Sequence, residues 1–317
     1  MNEFELINRY FKRSVMCNTV ALGVGDDCSL LNMPAGKQLA ISVDTLVADV
    51  HFPANGDPQS IAARALCVSL SDLAAMGAEP LWFTLCLTMP VADEQWVAPF
   101  SKGLFQVASD YDCELVGGDT TRGPLAISIQ VMGAVEPNKA LVRGGAELGD
   151  MIFVTGTLGD GAAALAVLNS TLKTDNEASH YLTNRYYHPV PRFKAAHALA
   201  PLASAAIDIS DGLVADLGHI CAASQVGAEI YVESLPMSPA VLKFASNTQQ
   251  YNWALAGGDD YQLCFTVPRD HLVGMEGLID RGLDATLIGE ITHGQGVNCL
   301  LLGKPFTIQA TGYNHFG

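Results

Sequence analysis

The sequence predicts an α+β protein of two domains, each a mixed β-sheet with helices packed mainly on one face. Three observations carry this expectation. The 317 residues exceed one average domain, and at 49% hydrophobic and 16% charged they hold enough apolar material for well-buried cores. Apolar runs of strand length are interspersed with segments of helical period, without the strict βα alternation of a parallel sheet. The stretch RGGAELGD at 143–150 holds three glycines and few apolar residues. It marks the boundary between a domain spanning 1–147 and another spanning 148–317.

The elements follow in order. Residues 1–14 place Phe4, Ile7 and Phe11 at amphipathic-helix spacing, and QLAISVDT (38–45) reads as a buried strand ending near an acid. Residues 58–76 form a helix with Asp57 as N-cap, Pro58 in its first turn and Gly77 just past its end. LWFTLCLTMP (81–90) is a strand stopped by proline, 93–111 has helical period, CELVGGD (113–119) is a strand running into a loop, and LAISIQVMGAV (125–135) is a long strand. In the second domain DMIFVTG (150–156) is a strand and LGDGAAALAVL (158–168) a helix opened by glycine. STLKTDNEASH (170–180) is an exposed loop or helix start, and SAAIDISDGLVADLGHICAAS (204–224) is a strand, an acidic turn and a helix. AEIYVES, DDYQLCFTVP and DATLIGEI supply the later strands.

Composition excludes several functions. A formal net charge of −16 makes nucleic acid an unsuitable partner, because phosphate contacts need Lys and Arg. No apolar run reaches the roughly 18–20 residues of a membrane helix, and MNEFELINRYFKRS lacks the apolar core of a signal peptide. The expected location is the cytoplasm. The eight cysteines form no CxxC pair and sit mostly in apolar segments, as buried reduced thiols do.

What remains is a set of aspartates beside glycines at the ends of apolar elements: GVGDD (23–27), SVDT (42–45), LSDLAAMG (70–77), GGDTTRG (117–123), IDISDG (207–212) and GGDDY (257–261). Each alone fits an ordinary turn, cap or ion pair. Asp72 lies on a helix with only one other charge between Ala62 and Met76, and Asp44 ends an apolar strand. An unpaired buried carboxylate is costly, so these acids need a cation. Hard cations such as Mg²⁺ take carboxylate oxygens together with substrate phosphates. Gly117 and Gly118 allow a close backbone approach to an anion, and Thr120, Thr121 and Arg122 can donate to phosphate oxygens. No GxxxxGK[ST] loop is present, nor the HRD and DFG pair of protein kinases.

In order, GVGDDCSLL, SVDTLVADVHF, LSDLAAMGAEP, LVGGDTTRGP, VTGTLGDGAA, AIDISDGL, GGDDYQLCF and a terminal GYNHF closely resemble the thiamine-monophosphate kinases, within the aminoimidazole ribonucleotide synthetase superfamily. The resemblance spans essentially the whole chain. It implies direct transfer of the γ-phosphoryl group of ATP to thiamine monophosphate with several Mg²⁺ ions, giving thiamine diphosphate and ADP. It also implies a homodimer joined through the N-terminal sheets. Asp27, Ser42, Asp44, Asp72, Asp119, Asp208 and Asp211 match its metal positions. Asp27, Val43, Gly118, Asp119, Arg143 and Ser210 match its nucleotide positions, and His51, Asp259 and Tyr313 those touching the thiamine moiety. Val43 stands where some members have threonine, and Asp259 where many read GGED. No general base is implied, since the nucleophile is already an anionic phosphate oxygen. Other readings are a different ATP-using enzyme of the superfamily, a Mg²⁺-dependent phosphohydrolase, or a cation-binding structural protein; EF-hand spacing is absent.

Overall fold

The computed structural model describes residues 3–14 and 17–308. The chain divides into two compact units, Met1–Leu73 with Ala78–Ala140, and Ala74–Gly77 with Leu141–Gly317.

The first unit begins with α1 (Glu3–Leu6), which runs into a π-helical turn at Ile7–Phe11. A small antiparallel pair, β1 (Val20–Leu22) with β2 (Leu30–Leu31), precedes the main sheet. That sheet comprises β3 (Gln38–Val47), β4 (Glu79–Met89), β5 (Glu114–Arg122) and β6 (Ala126–Val135), in the order β3-β6-β4-β5. Only β4 and β5 run parallel. Between the strands lie α2 (Pro58–Ala75) and α3 (Glu94–Asp110). The expected cap is present: Asp57 accepts the Ser60 N–H at 2.9 Å. Helix α2 buries Ile61, Leu66, Leu70 and Leu73, and the two helices touch so closely that a Cβ at Gly103 would lie 2.1 Å from the Gln59 carbonyl oxygen.

The helix-facing side of this sheet is closed by Phe83, Leu85, Leu87, Ile127, Ile129 and Val131, all buried. On the other side, residues 17–33 cover Trp82 and Met132, and the Trp82 indole N–H donates to Thr19 Oγ1 at 3.0 Å. Among the described residues, the remainder of that side is open. Along β3, Leu39, Ile41 and Val43 are 48%, 54% and 61% exposed.

The second unit is a seven-stranded mixed sheet. Its strands are β7 (Met151–Thr155), β8 (Ala205–Asp208), β9 (Gly227–Tyr231), β10 (Leu263–Val267), β11 (Ala285–Thr292), β12 (Gly296–Leu301) and β13 (Lys304–Pro305). Their order is β13-β12-β9-β11-β7-β10-β8, and only β9 and β12 pair in parallel. The helices are α4 (Asp160–Leu168), α5 (Asn176–Tyr187), α6 (Phe193–Leu199), α7 (Leu213–Ser224), α8 (Pro239–Phe244), α9 (Asn247–Ala256) and α10 (Leu272–Asp280). The polar 170–180 segment ends as the start of α5, capped by Asp175 on the Ala178 N–H.

Alternation along β7 sends Ile152 and Val154 into a core with α7 and α9, and Met151 and Phe153 into another with α6 and α10. The α+β class with mixed sheets is as expected, and the second sheet carries helices on its other face as well. Among the described residues, no helix is long and apolar enough to cross a membrane.

Candidate active site

In the first unit, β3 delivers Ser42 and Asp44 to the sheet face covered by α2. Ser42 Oγ donates to Asp72 Oδ2, joining strand and helix. Asp44 lies two residues along on the same face. Burial is the first cause that pushes its carboxyl up to about 6; the Asp72 charge adds to this, and a hydrogen bond from Ser69 opposes it. Among the described residues no lysine or arginine forms an ion pair with either carboxylate. Two acids are thus held together on an apolar sheet by hydroxyl groups alone. This all-oxygen donor set fits a hard divalent cation such as Mg²⁺. Its remaining coordination positions need water or substrate oxygens, because among the described residues no three His, Cys, Asp or Glu side chains gather as a ready metal cage.

Among the described residues, none of the other first-unit positions hydrogen-bonds to this pair. Asp119 is exposed on edge strand β5, in register with Cys86 of β4. Strands β6 and β4 separate it from β3, which puts the backbones of Asp44 and Asp119 about 14 Å apart at the usual strand spacing. Gly118, just before it, has φ +147°, and a Cβ there would lie 1.9 Å from the Leu85 carbonyl oxygen, so only glycine fits. Asp27 is exposed in the loop after β1, where its N–H bonds the Asp26 carboxylate at 2.9 Å. Val43 alternates away from the Ser42–Asp72 contact and is exposed. His51 sits in the turn after β3. Its Nδ1 accepts the Val47 N–H at 3.0 Å, so the neutral ring carries its hydrogen on Nε2. The buried Arg64 donates from Nε to the His51 carbonyl at 3.2 Å, which fixes that turn from below.

In the second unit, β8 ends at the buried Asp208, and the turn that follows carries Ser210 and Asp211. One residue missed from the sequence organises this turn. Asp216, buried on the first turn of α7, accepts the N–H groups of Ser210, Asp211 and Gly212 on Oδ2 at 3.0, 3.1 and 3.1 Å. The helix N-terminus is therefore filled by its own carboxylate, and Ser210 and Asp211 present side chains from a fixed backbone. Burial pushes Asp216 up to about 7; the Asp211 charge adds to that, and the three backbone donors oppose it.

The 257–261 turn stacks against this one. Asp259 N–H donates to the Ser210 carbonyl at 2.9 Å, and Tyr261 N–H to the Ile209 carbonyl at 2.8 Å. Two further acids that sequence reasoning passed over, Asp160 and Asp260, are buried beside it. Asp160 accepts from Thr157 (2.6 Å), Tyr181 (2.9 Å) and Ser238 (2.5 Å). The sequence signals were Asp160 within the glycine-rich TGTLGDGAA and Asp260 directly after Asp259 in GGDDY. Arg143 is exposed in the segment entering this unit, and the Ser224 hydroxyl bonds the backbone of Arg143, Gly145 and Ala146. Tyr313 lies outside the described residues.

Both halves of the chain match known proteins. Residues 25–135 match the family of AIR synthase related proteins, N-terminal domain, and residues 147–301 its C-terminal domain. The thiamine-monophosphate kinase of Salmonella typhimurium is 48% identical over 318 residues, covering 99% of this chain and 98% of that protein. That of Haemophilus influenzae is 41% identical over 322 residues, covering 100% and 98%. Among solved structures, thiamine-monophosphate kinase from Stenotrophomonas maltophilia superposes with a TM-score of 0.87 at 44% identity, covering 95% and 97% of the two chains. AaThiL complexed with AMPPCP and TMP superposes with a TM-score of 0.78 at 34% identity, covering 92% of each. With both halves matched, and close relatives aligned over nearly their full length, the chain belongs to the thiamine-monophosphate kinase family.

Proposed function

We propose that this chain transfers the γ-phosphoryl group of ATP to thiamine monophosphate, producing thiamine diphosphate and ADP with magnesium. The observation that carries the reading is the Asp44–Asp72 pair, two carboxylates held together with hydroxyl partners and, among the described residues, no cationic side chain. Magnesium bound there would neutralise phosphate charge and bring two anionic reactants together. The protein's part is positional. Ser42 fixes the Asp72 carboxylate, Gly118 admits a close backbone approach at Asp119, and His51 is held in the turn after β3 through its Nδ1. In the second unit Asp208, Ser210 and Asp211 would supply further oxygen donors, Arg143 a phosphate contact, and Asp259 a negative charge suited to a cationic thiazolium ring. No side chain need remove a proton from the acceptor, whose phosphate oxygen is already anionic. Support for nucleotide and acceptor comes from the relative that holds AMPPCP and TMP.

A homodimer is part of this proposal. Leu39, Ile41 and Val43 form an apolar stripe on an open sheet, which a second copy would cover. A cytoplasmic setting accords with eight free cysteines, five of them buried. The test is direct: protein, ATP, Mg²⁺ and thiamine monophosphate should yield thiamine diphosphate and ADP in equal amounts. ADP with free phosphate and no diphosphate product would overturn the proposal in favour of a hydrolase.

A further inference from the structure

The 257–261 turn is held from two sides by groups with no assigned role. Asp260, 2% exposed, accepts the Gly159 N–H on Oδ2 at 2.7 Å and the Gly161 N–H on Oδ1 at 3.0 Å. Both carboxylate oxygens thus bind the start of α4, some hundred residues away in the chain. The fit is close: a Cβ at Gly161 would lie 2.4 Å from the Gly258 carbonyl oxygen and 2.7 Å from Asp259 Cβ. On the opposite side the turn bonds Ser210 and Ile209. Asp259 and Tyr261 both adopt left-handed backbone, φ +68° and +48°. Side chains other than glycine rarely stay there unless their surroundings hold them. The nearly buried Tyr261 then turns its hydroxyl back to donate to Asp259 Oδ1 at 3.0 Å.

The geometry points to Asp260 and Tyr261 as positioning residues for the acceptor substrate: Asp260 sets the height of the turn, and Tyr261 sets the rotamer of Asp259. This rests on the reading of Asp259 as a contact of the thiamine moiety. An aspartate reaches one methylene less far than the glutamate of GGED, so the backbone and the Tyr261 hydroxyl, rather than side-chain length, decide where its oxygens lie.

The test uses the full chain and three variants, Tyr261→Phe, Asp260→Asn and Asp259→Ala. Losing one hydrogen bond to a charged group should raise KM for thiamine monophosphate about tenfold in Tyr261→Phe, with KM for ATP and kcat within about twofold of wild type. Asp260→Asn should raise the same KM at least as much and speed amide hydrogen exchange at 157–162 and 257–262, with β9 and β12 unchanged. A merely structural role would lower the melting temperature and shift both KM values together, which would overturn the inference. So would an unchanged KM in Tyr261→Phe when Asp259→Ala raises it. If Asp259→Ala itself leaves KM unaltered, the Asp259 reading has failed and the positioning role falls with it. Tyr261→Phe decides the matter even if Asp260→Asn does not fold.

Discussion

Asp72→Asn should make the magnesium-free protein more stable while impairing it as an enzyme. The substitution keeps shape and retains an oxygen for the Ser42 hydroxyl, but removes one of two adjacent negative charges. Raising the Asp44 carboxyl from 3.8 to about 6 corresponds to about 3 kcal/mol against its ionised form. Burial is the larger cause and Asp72 the second, so relief of the Asp72 charge returns about 1 kcal/mol, or a rise of about 2 °C in Tm for a chain of this size. The sign follows from linkage. A carboxyl raised in the folded state is penalised when ionised, so the destabilisation is absent below about pH 4 and complete above about pH 6. Wild type without metal should therefore lose stability between those values, and Asp72→Asn should lose less. Magnesium should raise the melting temperature of wild type at pH 7.5 and have little effect on the variant. The assay is thermal unfolding at pH 4.5 and 7.5, with and without MgCl₂, alongside ADP release. A variant that melts like wild type without metal and responds fully to magnesium would refute the reasoning.

Other outcomes follow from the same structure. Asp44→Asn and Asp119→Asn should each cut kcat by at least roughly 10²-fold, read by coupled ADP release, as expected of groups that stabilise transferred charge. Ile41→Glu places a charge in the open apolar stripe of β3 and should convert a dimer to a monomer in sedimentation velocity; an unchanged sedimentation coefficient would exclude that face as the interface. Asp216→Ala strips three N–H groups, one buried and two part-buried, of their acceptor and should lower stability by about 2–4 kcal/mol in urea titration.

Much of the fold was legible because its signals are local. Asp57 followed by Pro58 opens α2, and Pro90 follows the end of β4 at Met89. The 93–111 periodicity corresponds to α3 at Glu94–Asp110, and the glycine-opened segment to α4 at Asp160–Leu168. The N-terminal stretch was less readable: its helical spacing becomes four α-helical residues and a π turn, with Leu6, Tyr10 and Phe11 buried. The wider π turn moves the buried positions off the regular α-helical face and leaves Phe4 exposed.

The sequence by itself determined which turns carry acids and which strands deliver them, because strand alternation and glycine placement are properties of consecutive residues. Only tertiary structure decided what those acids do. It brought Asp44 near Asp72 across strand and helix, put Asp119 on the far edge of the sheet, gave Asp216 and Asp260 to backbone N–H groups, and gave Asp160 to the side chains of Thr157, Tyr181 and Ser238. The physical reason is that a carboxylate is defined by the donors it meets. For Asp260 these are N–H groups at Gly159 and Gly161, brought to it by sheet packing across a separation that no local pattern encodes.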